Sequence, residues 1–153
     1  MTHTFTQIYL HVVFSVKGRL NLIKKQWRDE LYKYICGIAN NKEQKIFAIG
    51  GVGDHIHLLL SINPTVTPSE IVRDIKANSS KWINERHLVA GNFEWQRGFG
   101  AFSISSAQLD NTIKYINNQE KHHQKKSFEL EYLEFIKEYN IEFNEKMFFQ
   151  KLD

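Results

Sequence analysis

Two histidines, His55 and His57, stand two residues apart within a run of residues that favour β-structure. In a β-strand, residues i and i+2 point to the same face and lie about 6.6 Å apart along the chain. Both imidazoles could therefore reach one metal ion from a rigid strand, each with a neutral ring nitrogen as the ligand atom. Because two ligands do not make a metal site, the same pattern also fits a strand that simply exposes two histidines.

Further side chains with possible chemistry follow on a later predicted helix. Tyr115 and Gln119 are four residues apart and share one side of that helix, and His122 continues the same line. This side lies away from the apolar stripe that contains Ile113 and Ile116. The core does not need the Tyr115 phenol, and a glutamine oxygen lies one turn away. The phenol could therefore act as a nucleophile beside a metal held by two histidines. Each residue alone also fits a structural role on a helix surface.

The composition is that of an ordinary globular protein. The chain has 153 residues, 42% of them hydrophobic and 24% charged, and a net charge of +3. This length suffices for one domain, and the mildly basic balance permits a phosphate-bearing partner without requiring one. A single cysteine, Cys36, excludes an intrachain disulfide, and the sequence contains neither a signal-like start nor an apolar run long enough to span a bilayer. We therefore expect a single domain over residues 1–153, no membrane span and a cytoplasmic location.

Hydrophobic periodicity predicts an α+β protein with alternating strands and helices. The predicted elements are a strand over residues 4–17, a helix over 24–40, strands over 45–50 and 55–62, a helix that begins at Pro68, a strand over 98–105, and helices from about Ala107 and from Ser127.

This order is that of the ferredoxin-like (split βαβ, βαββαβ) fold, with a C-terminal helical extension that carries the tyrosine. The first and third strands then lie at the centre of an antiparallel sheet, and two helices cover one face. His55 and His57 would lie on a central strand, and the opposite face would be free for chemistry or for a partner. The predicted core spans about residues 5–125, and a helical tail follows over about 127–153.

Five segments in a fixed order carry a more specific signal than any one motif. They are residues 11–15 (His-Val-Val-Phe-Ser), 54–59 (Asp-His-Ile-His-Leu-Leu), 75–81 (Ile-Lys-Ala-Asn-Ser-Ser-Lys), 95–103 (Trp-Gln-Arg-Gly-Phe-Gly-Ala-Phe-Ser) and 115–119 (Tyr-Ile-Asn-Asn-Gln). In this order and spacing the chain resembles the single-tyrosine HUH transposases, which include insertion-sequence transposases and REP-associated tyrosine transposases. HUH denotes histidine, a hydrophobic residue and histidine. The resemblance extends over about residues 5–125.

The resemblance implies a DNA transposase that cleaves and rejoins single-stranded DNA at hairpin-bearing element ends through a 5′-phosphotyrosine intermediate. It also implies a homodimer, in which the helix that carries the tyrosine is mobile or exchanged between subunits. The implied cofactor is a divalent metal, Mg or Mn, and imidazole ligands suit Mn better than Mg. The implied site residues are Tyr115 as the nucleophile and His55, His57 and Gln119 as the metal ligands.

Several polar neighbours of these residues have open roles. His122 or His123 could replace Gln119 as the third protein ligand of the metal. Asp54 and His11 are polar neighbours of the histidine motif, for which we expect a supporting or structural role. A tyrosine hydroxyl has an ordinary pKa of about 10 and needs help to ionise at neutral pH. No sequence feature identifies the general base.

Basic residues offer several candidate surfaces for the DNA backbone. They follow the first strand, occupy one face of the second helix and follow Tyr115. Each of them also fits an ordinary solvated surface. The candidates are Lys17, Arg19, Arg73, Lys76, Lys81, Arg86, Lys121 and Lys125.

A non-catalytic single-stranded RNA- or DNA-binding module is the alternative from another class. The order βαββαβ also builds the RNA-recognition fold, and residues 97–102 are similar to its aromatic motif. However, Phe99 and Phe102 are three residues apart and would face opposite sides of a strand, whereas a stacking platform needs aromatic residues two apart. A metal-dependent hydrolase without DNA specificity is a second alternative.

Overall fold

The computed structural model describes residues 3–124 and 126–139 of the chain. Its centre is a four-stranded antiparallel sheet in the order β2-β3-β1-β4, which confirms the predicted ferredoxin-like arrangement. The strands are β1 (Tyr9–Ser15), β2 (Lys45–Val52), β3 (His55–Ser61) and β4 (Gly100–Ile104), and the helices are α1 (Lys25–Asn41), α2 (Pro68–Glu85), α3 (Leu109–Asn117), α4 (Gln119–His123) and α5 (Phe128–Glu138).

The first strand is shorter than its alternating pattern predicts. The pattern spans residues 4–17, whereas β1 runs over Tyr9–Ser15. At its start, Tyr9 pairs with Ser61 of β3 and with Ile104 of β4, and both partner strands end there. Without a paired neighbour, an alternating segment has no ladder of hydrogen bonds to join.

Helices α1 and α2 cover one face of the sheet and form the main core with it. Alternate residues of the two central strands point into this core, and the helices contribute a matching apolar stripe. None of the helices among the described residues is long and apolar enough to cross a lipid bilayer. The fully buried residues of this core include Val12 and Phe14 of β1, Ile56 and Leu58 of β3, Leu31 and Ile35 of α1, and Ile75 and Ile83 of α2.

The start of α2 agrees with its sequence signal. The Thr67 side chain accepts a hydrogen bond of 3.1 Å from the backbone N–H of Glu70, and Pro68 occupies the first helical position. A cap of this kind satisfies an N–H group that the helix itself leaves unpaired, and proline has no N–H to satisfy. Local chemistry therefore fixes the point at which α2 begins.

The opposite face of the sheet is covered, although the sequence analysis expected it to be free. Ile116 of α3 packs with Leu59, and Phe128 of α5 packs with Val13 and Phe102. These apolar side chains explain why helices cover this face of the sheet. An open face would leave them in water at a cost of about 25 cal/mol for each Å² of apolar surface. Helices α3 and α5 therefore close over the face to which the histidines belong.

The helix predicted from about Ala107 is divided. The helix α3 ends at Asn117, Asn118 leaves helical geometry with φ −104° and ψ 22°, and α4 begins at Gln119. These angles lie in the bridge region, outside the range of an α-helix. Tyr115 and Gln119 consequently lie on two short helices rather than on one face of a single helix.

Strand β2 touches α3 through main-chain atoms. A Cβ atom added at Gly50 would lie 2.3 Å from the carbonyl oxygen of Ile116. Glycine permits this close approach because it has no side chain. Gly50 therefore determines how closely the helix that carries Tyr115 lies on the sheet.

Lys76, a predicted DNA-contacting residue, ties α2 to the segment before β4. Its ammonium group donates hydrogen bonds to the backbone carbonyl oxygens of Gln96, at 2.8 Å, and of Gly98, and burial lowers the pKa of Lys76 to about 8. The Lys76→Met variant leaves both carbonyls without this donor, so we expect the free energy of unfolding to fall by about 1–3 kcal/mol in urea denaturation. The matched variant Lys81→Met, at an exposed position of α2, should change it by less than about 0.5 kcal/mol. Equal losses in the two variants would contradict this structural role.

Candidate metal centre and nucleophile site

His55 and His57 lie on β3, a central strand, and neither side chain is exposed to solvent. His57 stands opposite Val13 of β1 and Gly50 of β2. The two rings point to the same face, as their spacing predicts, with centroids 5.1 Å apart. The sheet therefore presents both imidazoles to the helices that cover this face.

Gln119 and Tyr115 approach the two histidines from α4 and α3. The Oε1 atom of Gln119 lies 3.1 Å from Nε2 of His55. The Tyr115 ring packs edge-on against His57 with centroids 5.7 Å apart, and its hydroxyl lies 3.4 Å from Nε2 of His122. The four site residues implied by the sequence are thus neighbours within one chain.

Glu131 of α5 lies at the centre of this group, and the sequence analysis did not anticipate it. Its side chain is 2% exposed. One carboxylate oxygen, Oε2, accepts hydrogen bonds from the hydroxyl of Tyr115 and from Nε2 of Gln119. The other oxygen, Oε1, lies 2.9 Å from Nε2 of His57, 3.2 Å from Nε2 of His123 and 3.5 Å from Nε2 of His55.

A sequence signal for Glu131 does exist. The residue follows Phe128 by three positions and precedes Phe135 by four, so it lies on the apolar side of the helix predicted from Ser127. A carboxylate on an apolar stripe needs partners when it is buried. The pattern therefore indicates a buried polar contact, although it does not name the partners.

The three imidazoles that face Oε1 of Glu131 are each held through the Nδ1 atom. Partners of this kind fix the ring orientation of metal-binding histidines and leave the Nε2 atom for the ion. Asp54 and His11, the polar neighbours of the motif, supply two of them. The contacts are His55 to Oδ1 of Asp54 at 2.7 Å, His57 to Nε2 of His11 at 2.7 Å, and His123 to the carbonyl oxygen of Lys126 at 2.6 Å.

The charges of the group follow from burial and from its carboxylates. Burial lowers the pKa of His57 to about 4 and that of His11 to about 3. Burial also disfavours a charged His55, but its hydrogen bonds to Asp54 and Glu131 raise its pKa to about 9. Burial alone would raise the pKa of Glu131, yet hydrogen bonds from the surrounding histidines hold it far below its ordinary value. At pH 7 Glu131 is therefore an anion that faces a charged His55 and a neutral His57.

The Tyr115 hydroxyl is protonated in this arrangement and can be reached from solvent. Burial, followed by the hydrogen bond to Glu131, raises the pKa of Tyr115 above its ordinary value. A cleft with a volume of about 350 Å³ opens beside the phenol and is also lined by His11 and His122. A substrate group could therefore approach the hydroxyl from this cleft.

The donor atoms suit a divalent transition metal. Among the described residues, four side chains with one ligand atom each bring these atoms within 4.8 Å of one another, namely His55, His57, His123 and Glu131. Imidazole nitrogens with a carboxylate oxygen are typical ligands of Zn, Mn and similar ions, whereas Mg prefers an all-oxygen shell. The residues present therefore fit the divalent ion that the sequence implies, and they suit Mn better than Mg.

Most of the predicted DNA-contacting residues form ion pairs on the surface. Such pairs contribute little to stability and can open toward a phosphate. Lys121 is exposed on α4, and Lys125 lies outside the described residues. The pairs are Lys17 with Glu94 at 3.2 Å, Arg19 with Glu129 at 3.4 Å, Arg73 with Asp74 at 4.0 Å, Lys81 with Glu85 at 3.8 Å and Arg86 with Glu30 at 3.7 Å.

The two phenylalanines of the alternative RNA-binding motif do not share a face. Phe102 belongs to the apolar cluster under α5, whereas Phe99 packs against the main core on the other side of the sheet. A platform for stacked bases needs aromatic rings side by side on one exposed face. The structure therefore does not favour the alternative of an RNA-recognition module.

The fold is shared with transposases of known structure. A crystal structure of a Deinococcus radiodurans R1 protein assigned as a transposase aligns with a TM-score of 0.63 and 21% identity, over 78% of this chain and 95% of that chain. The structure of a REP-associated tyrosine transposase bound to a REP hairpin aligns with a TM-score of 0.61 and 15% identity, over 80% of this chain and 73% of that chain. At these identities the likeness concerns the fold.

The sequence comparison extends this likeness to the family. The ISDra2 transposase TnpA of Deinococcus radiodurans is 24% identical over 119 residues, which cover 74% of this chain and 84% of that protein. The family model described as "Transposase IS200 like" matches residues 4–119, a segment that contains both histidines of β3, Tyr115 and Gln119. The chain therefore belongs to the IS200-like transposase family.

Proposed function

We propose that this protein cleaves and rejoins single-stranded DNA through a covalent bond between Tyr115 and a 5′-phosphate, with the help of a divalent metal ion. The observation that carries this proposal is the position of Tyr115, whose ring packs against the buried His57 beside Gln119 and His55. A phenol next to a set of metal ligands is suited to nucleophilic attack on a phosphodiester. Family membership and the REP hairpin bound by a structural neighbour support hairpin-bearing DNA as the substrate.

The reaction follows from the chemistry of a phenol and a phosphodiester. The Tyr115 oxygen attacks the phosphorus, a new P–O bond forms, and the bond to the 3′-oxygen of the preceding nucleotide breaks. The products are a 5′-phosphotyrosine and a free 3′-hydroxyl. The new phosphotyrosine ester conserves the energy of the broken phosphodiester bond. Another 3′-hydroxyl can therefore displace the tyrosine and join two strands without ATP.

His55, His57 and Gln119 would hold the divalent ion. When bound, the ion neutralises the negative charge that develops on a non-bridging phosphate oxygen. Asp54 and His11 hold the two histidine rings through their Nδ1 atoms, which leaves both Nε2 atoms turned into the site. These contacts orient the ligands before any substrate arrives.

Tyr115 has to lose its proton as it attacks, and His122 is the acceptor that we assign. Its Nε2 atom lies 3.4 Å from the hydroxyl, and burial lowers the pKa of His122, so the ring is neutral at pH 7. Glu131 also contacts the hydroxyl, but its pKa is far below the ordinary value. A group with so low a pKa is a weak base, and efficient proton transfer needs a pKa nearer to the working pH.

The proposal includes a homodimer and DNA contacts from the basic residues. Gln119 reaches His55 of its own chain, so the metal ligands do not require a residue of a second subunit. The dimer would then serve to bring two DNA ends together. Arg19 is well placed to contact the DNA backbone, because it lies 5.9 Å from the ring centre of Phe128, which itself stacks on His55.

Covalent capture of DNA tests this function. The protein is incubated with labelled single-stranded DNA from the flanks of its own gene and with Mn or Mg, and the products are separated in denaturing gels. We expect a labelled protein–DNA adduct that survives denaturation and that disappears when EDTA removes the ion. A shift of the DNA in native gels without any adduct would indicate a binding module instead. An adduct that forms without a divalent ion would exclude the role of the metal.

A further inference from the structure

We propose that Glu131 and His123 complete a four-ligand metal centre with His55 and His57 in the protein without DNA. The inference rests on the proposed function for the metal at the two histidines of β3. In the protein without DNA, Glu131 and His123 would take the place of Gln119 beside these histidines. Both additional residues lie beyond residues 4–119, the segment that the family model matches. These two metal ligands would therefore come from the C-terminal part of this chain, outside the segment that matches the family model.

The spacing of the ligand atoms is that of a coordination shell. The Oε1 atom of Glu131 lies 2.9 Å from Nε2 of His57 and 3.2 Å from Nε2 of His123. Ligand atoms about 2.1 Å from a metal lie about 3.0 Å apart when the bonds meet at 90°, and about 3.4 Å apart at a tetrahedral angle. The observed separations lie at or near this range. All four ligand atoms lie within 4.8 Å of one another, which is slightly wider than the distance of about 4.2 Å between opposite ligands.

The hydrogen bonds of this group leave the Nε2 atoms facing the carboxylate. The Nδ1 atom of His55 donates to the Asp54 carboxylate, and that of His123 donates to the Lys126 carbonyl, because neither acceptor carries a hydrogen. The Nε2 atom of each ring therefore faces Glu131, which offers only lone pairs. A metal ion held between these atoms would make the contacts attractive.

The composition of the centre predicts which ions it binds. Three imidazoles and one carboxylate form a nitrogen-rich set, which suits Co, Zn and Mn, whereas Mg prefers oxygen ligands. We therefore expect the DNA-free protein to bind Co at least about 100-fold more tightly than Mg. Glu131 would fill a coordination position that a DNA phosphate oxygen needs, so α5 has to release this position when substrate binds.

Metal binding without DNA tests the centre. Metal-free full-length protein is titrated with Co, and binding is followed by equilibrium dialysis and by the visible absorption of the bound ion. We expect one ion per chain, and an affinity at least about tenfold lower in Glu131→Gln and in His123→Gln, with a changed absorption spectrum. The control Glu138→Gln makes the same charge change at an exposed position of α5 and should bind Co as the wild type does. Far-UV circular dichroism checks that each variant is folded.

Two results would overturn the centre. One is wild-type Co affinity in both Glu131→Gln and His123→Gln, and the other is the absence of Co binding in the wild-type protein without DNA. If Glu131→Gln does not fold, His123→Gln and the wild-type titration decide. Neither result affects the proposed cleavage, which is measured as an adduct with DNA. Conversely, the protein could bind Co in this way and form no adduct with DNA. That result would support the four-ligand metal centre and contradict the proposed cleavage of DNA.

Discussion

The Tyr115→Phe variant is expected to lose the covalent adduct with DNA while it keeps its fold and its affinity for metal. Phenylalanine preserves the ring that packs against His57 and removes only the hydroxyl, the atom that would attack phosphorus. Removal of a nucleophile in covalent enzymes lowers the rate by up to about 10⁶-fold, so adduct formation should fall by at least about 10³-fold. The measurement is the labelled adduct in denaturing gels over a time course.

The matched control for this variant is Tyr139→Phe. The Tyr139 hydroxyl also donates a hydrogen bond, in this case of 3.2 Å to the backbone carbonyl of Ser103, and its ring packs against Phe102 with centroids 4.9 Å apart. Its removal should cost about 1 kcal/mol of stability and leave the adduct unchanged. If Tyr115→Phe forms the adduct at the wild-type rate, Tyr115 is not the nucleophile.

The His57→Asn variant is expected to lose both its affinity for metal and the covalent adduct with DNA. His57 is fully buried, and its Nδ1 atom is held by His11, so its Nε2 atom is fixed in the site. Loss of a partner that merely orients a metal ligand lowers affinity by about 10–100-fold, so loss of the ligand itself should lower it by at least about 100-fold. At a metal concentration that just saturates the wild type, the variant should form no adduct. Isothermal titration with Mn measures the affinity, and the gel assay measures the adduct.

His87→Asn is the control for this substitution. His87 is an exposed histidine with φ 52°, a backbone conformation that asparagine accepts. The control should bind Mn and form the adduct as the wild type does. Wild-type Mn affinity in a folded His57→Asn protein would remove His57 from the set of metal ligands.

Local patterns in the sequence predicted the sheet and its helices well. The alternation in β1, the cap at Thr67 and the apolar stripes of α1 and α2 depend on neighbouring residues, and the sheet confirms the order that they predict. The ends of elements were less predictable, because they depend on distant partners. β1 begins only where β3 and β4 can pair with it.

The site was predictable where one element carried its residues. His55 and His57 share a strand face because of their spacing alone. Glu131 was not found, because its contact with them depends on how α5 packs over the sheet, and no short-range pattern encodes that packing. The break at Asn118 was also missed, and it is this break that separates the helices of Tyr115 and Gln119.

Gly50 has a mechanical consequence. It stands opposite His57 in the sheet and also meets the main chain of Ile116, the residue that follows Tyr115. Main-chain atoms have no rotamers, so this contact cannot yield through side-chain rearrangement in the way that a contact between two long side chains can. Strand β2 and helix α3 are therefore expected to move together as one stiff body. The distance between Tyr115 and His57 is then expected to stay constant, while α5 is the element that would move away from the site.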